Sequence, residues 1–489
     1  VTKEDDVDAA VPDPKRWKAL AVLGVAYLMV VLDISIVNVA LPSIQEDLGF
    51  ATEDLQWVVS GYALTFGGFL LLGGRMGDLL GRRLLFMIGL GLFAATSLVA
   101  GLSQSSEMLI FARTAQGAAG AILSPSVFSI VTVTFAEGVE RNKALGALGG
   151  IAGAGGAIGV LLGGIITQYA GWEWIFFVNV PIALATLFFV PRFVRESKAA
   201  GLARHFDAAG AVTVTGSLML LVFGLTQANR VGWTSAQTIG VLASSAVLMA
   251  IFVLLELRSR SPLVPLSIFR RRTLTGANVI GFGLGTSIFG MFFLLTLYMQ
   301  YVLGYSALET GFGYLAVALT AVAASGLAQA LVTRLGVRPI LASGLAMLAG
   351  GLAYFSQISV GGSYVGDLLP GFLLIGVGMG FSFVPISIAA LAGVKGPEAG
   401  LASGLINTSQ QIGGALGVAI LTTVATTRTE SLADSGTGAI QAATSGYALA
   451  FWVAAGFALV ALATTFLMLK RDDLRVEEPE AAPAPAPAG

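Results

Sequence analysis

The apolar residues of this chain fall in runs about twenty long, the length of helix that crosses roughly 30 Å of hydrocarbon, and short polar stretches separate one run from the next. A run of that kind has no polar face with which a helix could meet water, so it belongs in lipid or in a buried bundle. Fourteen such segments are predicted, at 19–41, 55–74, 84–102, 108–134, 144–169, 174–194, 208–226 and 238–257, then at 275–302, 311–331, 340–355, 365–391, 403–425 and 448–469. Only 11% of the residues are charged, against about 25% in a soluble domain. The bilayer is therefore the solvent, and the predicted class is an all-α polytopic membrane protein.

Lys and Arg in short loops mark the cytoplasmic side of such a protein. With the N-terminus inside, all but three of the 27 basic residues fall on that side. Arg230 and Arg428 lie outside and Arg113 lies within the membrane. An odd number of helices would scramble this split, so both termini are expected in the cytoplasm. The run at 19–41 is too long for a signal-peptide core and is read as a retained first helix. Residues 477–489, rich in Glu, Pro and Ala, are expected to form a disordered tail.

Two pairs of motifs repeat with an offset of eight helices. The loop 74–83 holds Gly74, Arg75, Gly77, Asp78, Gly81, Arg82 and Arg83, and it has a degenerate echo at 333–338 with Arg334, Gly336 and Arg338. The fifth helix carries Gly155, Gly159 and Gly163, and the thirteenth carries Ser409, Gly413 and Gly417 at the same spacing. Two six-helix halves separated by two inserted helices explain both pairs. The expected divisions are 1–18, a cytoplasmic segment; 19–194, the first bundle; 195–257, the inserted helices; 258–272, a basic loop; 273–469, the second bundle; and 470–489, the tail. Parallel repeats of this kind place a substrate site at mid-membrane between the halves.

At these residues the chain resembles the major facilitator superfamily, and within it the fourteen-helix drug/proton antiporters. The loop from Gly74 to Arg83 is similar to the superfamily signature between the second and third helices. Residues 32–42, with Asp33, Asn38 and Pro42, resemble the first-helix motif, and Arg113, Gln116 and Gly117 match that of the fourth helix. Residues 155–164 resemble the antiporter motif, with Val160 where proline is usual. Residues 172–181 resemble the sixth-helix motif, with Glu173 in place of a basic residue. The resemblance implies a major facilitator fold and proton-driven export.

The residues themselves suggest how. Asp33 is the one acid well inside a predicted helix, and a carboxylate there costs about 2.5–3.5 kcal/mol even on the mild insertion scale. Arg113 is the one intramembrane base, at a depth that lets the two meet. Burial favours a neutral carboxyl and a nearby guanidinium favours the carboxylate, so changing their separation would load or discharge a proton. The alternative is a permanent ion pair that only orients two helices. Asp78 is expected to cap a helix N-terminus of the opposite half, where the dipole favours an anion, with Arg82 and Arg83 holding the latch. The stripe of Gly155, Gly159 and Gly163, with Gly164, is expected to be a sliding contact between halves. Candidate cavity residues are Asn38, Tyr62, Tyr298, Gln300, Asn407 and Gln410.

Other classes find little support. Cysteine is absent, which removes disulfides, thiolate metal sites and cysteine nucleophiles, and His205 alone cannot build a metal site. There is no G-x-x-x-x-G-K-[ST] loop for ATP, and a net charge of −1 gives no reason to expect nucleic acid. The expected protein is a cofactor-free antiporter of the bacterial cytoplasmic membrane, exporting hydrophobic small molecules, drugs or antibiotics, in exchange for protons and driven by the proton gradient. An exporter of one endogenous metabolite or self-made antibiotic, or a passive facilitator, is the alternative.

Overall fold

The computed structural model describes residues 14–135, 139–198, 207–259, 262–391 and 396–469. His205, Lys395 and the two terminal segments, including the expected tail, lie outside them. The regular elements are helices: α1 (Arg16–Leu48), α2 (Thr52–Leu55), α3 (Trp57–Leu80), α4 (Arg82–Gly101), α5 (Ser106–Thr134), α6 (Val139–Tyr169), α7 (Trp174–Phe177), α8 (Asn179–Phe193), α9 (Ala208–Val231), α10 (Ala236–Arg258), α11 (Arg272–Leu297), α12 (Ala307–Leu335), α13 (Val337–Phe355), α14 (Leu369–Leu391), α15 (Gly396–Asp434) and α16 (Ala439–Met468). Thirteen of the described helical spans are long and apolar enough to cross a membrane. The remaining long helix, α15, has ample length, but the polar run Asn407–Gln411 dilutes its apolar character.

Below, the inner face is the one at which α1 begins, and the outer face the one at which it ends. The sequence repeat reappears as a repeat of packing. Gly155, Gly159 and Gly163 of α6 lie against α1, and Gly413 and Gly417 of α15 lie in the same way against α11. The cross-pairs are related too: α6 packs on α12, and α15 on α3. The inserted pair α9 and α10 leans on the second of these seams, where Leu218 and Val222 of α9 join Ala63, Leu64, Ala415 and Ala419 in one apolar cluster. Ser217 and Ser245 tie α9 to α10 by exchanging hydroxyl-to-carbonyl bonds of 2.8 Å.

Several expected boundaries need correction, among them the start of the last helix, which lies at Ala439 and not at 448. The first helix does not stop at residue 41 but continues through Pro42 to Leu48, which places Asp33 farther from its outer end than the sequence suggested. The span expected at 174–194 is two helices, α7 and α8, joined at Val178. Pro181 explains the joint: it has no N–H for the carbonyl of Phe177 four residues back, and its ring crowds that carbonyl. The span expected at 403–425 runs from Gly396 to Asp434.

The two faces of the bundle are unequal. At the outer face a single apolar cluster joins the halves, with Val39, Leu41 and Ile44 of α1 packed together with Leu294, Leu297 and Ala307. The Gln300 Nε2 group donates to the Val39 carbonyl at 2.8 Å, and the Tyr301 hydroxyl to Gln45 Oε1 at 2.8 Å. At the inner face the corresponding cluster, including Leu20, Leu23, Phe86, Leu148 and Val190, belongs to the N-terminal half alone. The glycines Gly146, Gly149 and Gly150 on the inner part of α6 and Gly326 on α12 have nothing within 4 Å of an added Cβ. Helices α6 and α12 meet toward the outer face, where Gly164 lies against Ala307 and Gly311 against Val160.

Candidate functional site

The N-terminal half is organised around a buried ion pair. Asp33 on α1 and Arg113 on α5 are 0% and 1% exposed, and Arg113 Nη1 stands 2.6 Å from Asp33 Oδ2. Two charges leave water at a cost of several kcal/mol each, which a pair recovers only when its remaining hydrogen-bond capacity is filled. Here it is filled. Asp33 Oδ1 accepts from Gln116 Nε2 at 2.8 Å and from Asn179 Nδ2 at 2.9 Å. Arg113 also donates to Gln116 Oε1 at 2.6 Å and, through Nε, to the Val58 carbonyl at 3.1 Å. Ser97 accepts from both amides, at 2.6 Å from Gln116 and 3.3 Å from Asn179. The guanidinium lies 4.4 Å from the ring centre of Tyr62 and 5.6 Å from that of Phe176, over both faces.

One carboxylate thus gathers groups from α1, α3, α4, α5 and α8. Both of its oxygens accept, so adding a proton turns an acceptor position into a donor and removes the charge that pairs with Arg113. The proline joint at Val178 turns the chain where Asn179 enters the site. Of the residues involved, Asn179, Ser97 and the positioning role of Gln116 escaped the sequence reading. Asn179 and Gln116 stand within motif segments, whereas Ser97 carries no signal in its neighbourhood. The packing repeat adds a contrast. Phe282 stands against Gly413 as Leu32 stands against Gly159, and Thr286 against Gly417 as Ile36 against Gly163. The next residue after Phe282 is Gly283, so α11 has no carboxylate where α1 carries Asp33.

The loop between α3 and α4 is held by the segment that follows α8 and by the loop that follows α10. Gly81 has φ +127°, and a Cβ there would stand 2.9 Å from Glu196 Oε1. The backbone N–H groups of Arg83 and Leu84 each donate to the Glu196 carboxylate at 3.0 Å, and Arg82 N–H donates to the Ser197 carbonyl at 3.0 Å. The side chain of Arg83 reaches the Val194 carbonyl at 3.3 Å and lies 3.8 Å from Glu196. Arg75 Nη1 donates to the Pro262 carbonyl at 3.4 Å, and Gly74 faces Pro125. The side chain of Asp78 lies outside the described residues. Glu196 is the anion at a helix N-terminus here, that of α4, and no sequence motif announced it. Glu196→Ala is expected to lower stability by about 1 kcal/mol, the worth of a lost N-cap, as read from thermal unfolding in detergent; an unchanged transition would show the cap to be idle.

The glycine stripe needs a correction. Gly155, Gly159 and Gly163 face Val31, Ser35 and Ile36 of α1 in the same half, and only Gly164 meets the opposite half, at Ala307. Its missing side chains let α6 lie against α1 at the level of Asp33. The cavity candidates also separate. Asn38 bonds back to the Ile34 carbonyl of its own helix at 3.2 Å, and Tyr62 is taken up by Arg113. Tyr298 is fully buried with its hydroxyl on the Ser359 carbonyl at 2.7 Å, and Gln300 belongs to the outer seam. Asn407 and Gln410 do line a cavity, between the inner parts of α14 and α15.

Comparison with known proteins agrees with this architecture. The family model described as Major Facilitator Superfamily matches residues 23–418. A puromycin resistance protein of Streptomyces alboniger is 36% identical over 97% of this chain and 96% of its own length. A cephamycin export protein of Amycolatopsis lactamdurans is 39% identical over 83% of this chain and 84% of its own. A lincomycin resistance protein of Streptomyces lincolnensis is 34% identical, covering 85% and 86%. Among solved structures, a bacterial homologue of the human lysosomal transporter Spinster, inward-facing and unoccupied, superposes with a TM-score of 0.64 at 15% identity over 96% of this chain and 100% of that one. That likeness shows the fold.

Proposed function

This chain belongs to the Major Facilitator Superfamily, and from that premise we propose that it is a proton-coupled antiporter exporting hydrophobic small organic molecules, of the antibiotic class its relatives are named for. It is a transport protein and not an enzyme. The observation that carries the coupling is the fully buried Asp33–Arg113 pair at the meeting point of five helices. Protonating Asp33 removes the charge that compensates Arg113 and weakens the hydrogen bonds that join helices there. The energy of proton binding is thereby delivered to helix positions, which is what alternating access requires. In the scheme the inward-open state releases the proton to the inner side and admits cargo there, and the outward-open state does the reverse.

The site residues divide accordingly. Asp33 and Arg113 carry the proton switch, with Gln116, Asn179 and Ser97 positioning them. The loop of Gly74, Asp78, Gly81, Arg82 and Arg83 latches the inner face in the outward-open state. The chain divides into bundles 19–194 and 273–469 around inserted helices within 195–257, consistent with the repeat of packing. The positive-inside distribution supports a bacterial cytoplasmic membrane with both termini in the cytoplasm. No cofactor enters the scheme; the proton gradient drives it.

The test is transport by purified protein in liposomes with an imposed pH gradient. Puromycin or lincomycin is expected to accumulate in vesicles that are acid inside, as protons leave in exchange, and a protonophore is expected to abolish the accumulation. Both drugs are amines, so protein-free liposomes give the level that pH trapping alone sets, and a passive facilitator does not exceed it. Accumulation no higher than in protein-free liposomes with the gradient intact would remove the coupling.

A further inference from the structure

We infer that the cavity between the inner parts of α14 and α15 is a binding subsite for the uncharged, hydrogen-bonding end of an aromatic cargo, such as a carboxamide or sulfonamide. The proposal takes from the transport reading only that cargo enters from the inner face. The cavity has a volume of about 180 Å³ and is bordered by Phe383 and Ser387 of α14 and by Ser403, Ile406, Asn407 and Gln410 of α15. That space suits one ring and its polar substituent rather than a whole drug, since drug-sized pockets run from about 300 Å³ upward.

The chemistry of the lining selects among ligands. Asn407 and Gln410 are three residues apart on α15, so their side chains share a face. Neither has a hydrogen-bond partner within the described protein. Gln116 and Asn179 are used on Asp33 and Asn278 on the Leu274 carbonyl at 2.9 Å, whereas Gln411, beside Gln410, also leaves its Oε1 without a hydrogen bond. A pair of idle carboxamides presents two acceptors and four N–H donors to whatever enters. Gly281 of α11 leaves room for Gln410, whose Cγ would be 3.5 Å from a Cβ there. Ser387 is less available, because its hydroxyl donates to the Phe383 carbonyl at 2.8 Å. None of the described lining residues is ionisable. Asp33, the one carboxylate deep in the N-terminal half, has both oxygens occupied. A cation entering this cavity meets no counter-charge, while a neutral amide meets complementary donors and acceptors with the ring of Phe383 beside them.

The probes are dansylamide, a naphthalene bearing a primary sulfonamide, and its N,N-dimethyl sulfonamide analogue, which has no N–H on that group. Binding to purified protein is read from the blue shift of dansyl emission, without a proton gradient, so its outcome is separate from that of the transport test. Dansylamide is expected to bind the wild type saturably. Its affinity is expected to fall about tenfold in Asn407→Leu/Gln410→Leu through loss of two hydrogen bonds, while the N,N-dimethyl analogue changes less than about twofold. Phe383→Leu leaves the amides in place and is expected to weaken both probes. Equal dansylamide affinity in the wild type and the double variant, absence of saturable dansylamide binding to the wild type, or indifference of both probes to Phe383→Leu would each overturn the subsite.

Discussion

Asp33→Asn is expected to abolish gradient-driven accumulation of cargo and also to destabilise the fold. The substitution keeps the shape of the side chain and removes its charge. Arg113, 1% exposed, is then left as a buried cation with aromatic faces and amide oxygens but no anion. Breaking a buried pair from one side costs about 3–5 kcal/mol, whereas replacing both partners by neutral groups is often close to neutral. The double variant Asp33→Asn/Arg113→Gln is therefore expected to recover most of the lost thermal stability while remaining unable to accumulate puromycin. That combination separates the roles, because a pair that served only to orient α1 and α5 would regain transport along with stability. Unfolding in detergent and pH-driven uptake in liposomes measure the two quantities. Uphill, protonophore-sensitive uptake by Asp33→Asn would end the assignment of the proton site.

Gly164→Val with Gly311→Val is expected to shift the resting protein toward an outward-open arrangement by at least about tenfold, which a difference of about 1.4 kcal/mol between the states suffices to produce. A Cβ at Gly164 would lie 2.7 Å from the Ala307 carbonyl oxygen, and one at Gly311 would lie 2.8 Å from that of Val160. Both obstacles are backbone and cannot swing aside as a side chain can. The clash is relieved by drawing the outer ends of α6 and α12 apart, and the room around Gly146, Gly149, Gly150 and Gly326 leaves their inner ends free to approach. The seam bonds from Gln300 and Tyr301 resist with only about 0.5–1.5 kcal/mol each. The chain has no cysteine of its own, so single replacements report the state by maleimide labelling. Gly149→Cys at the inner face is expected to lose reactivity in the double-valine background, and Leu308→Cys in the outer seam to gain it. Unchanged labelling at both positions would mean that this seam does not set the balance.

The class of fold and its repeat were legible because they depend on local quantities. Hydrocarbon thickness sets the length of apolar runs, and the spacing of Gly155, Gly159 and Gly163 survives in the counterpart Ser409, Gly413 and Gly417. Asp33 and Arg113 were legible for a related reason: a charge in an apolar run is costly wherever the run packs. The partner of the glycine stripe was not legible. A bare helix face invites close approach by any neighbour, and the choice of α1 over the opposite half is made by the whole bundle. Glu196 was hidden because a capping carboxylate more than a hundred residues from its helix has no local pattern. Asn38, Tyr62, Tyr298 and Gln300 looked alike in sequence as polar or amphipathic groups in helices. Three-dimensional packing assigned them separate duties and left Asn407 and Gln410 facing open space.

Taken alone, the order of residues determined that this protein lives in a bilayer, that its helices form two related sets with a pair between them, and which two buried charges face the largest energetic penalty. These follow from transfer free energies and helix geometry, which act one segment at a time. The tertiary structure decided what those charges touch, which face of the bundle is sealed, and which amides remain idle. Each of those depends on groups far apart in the chain arriving within about 3 Å of one another, a hydrogen-bond distance that no local pattern specifies.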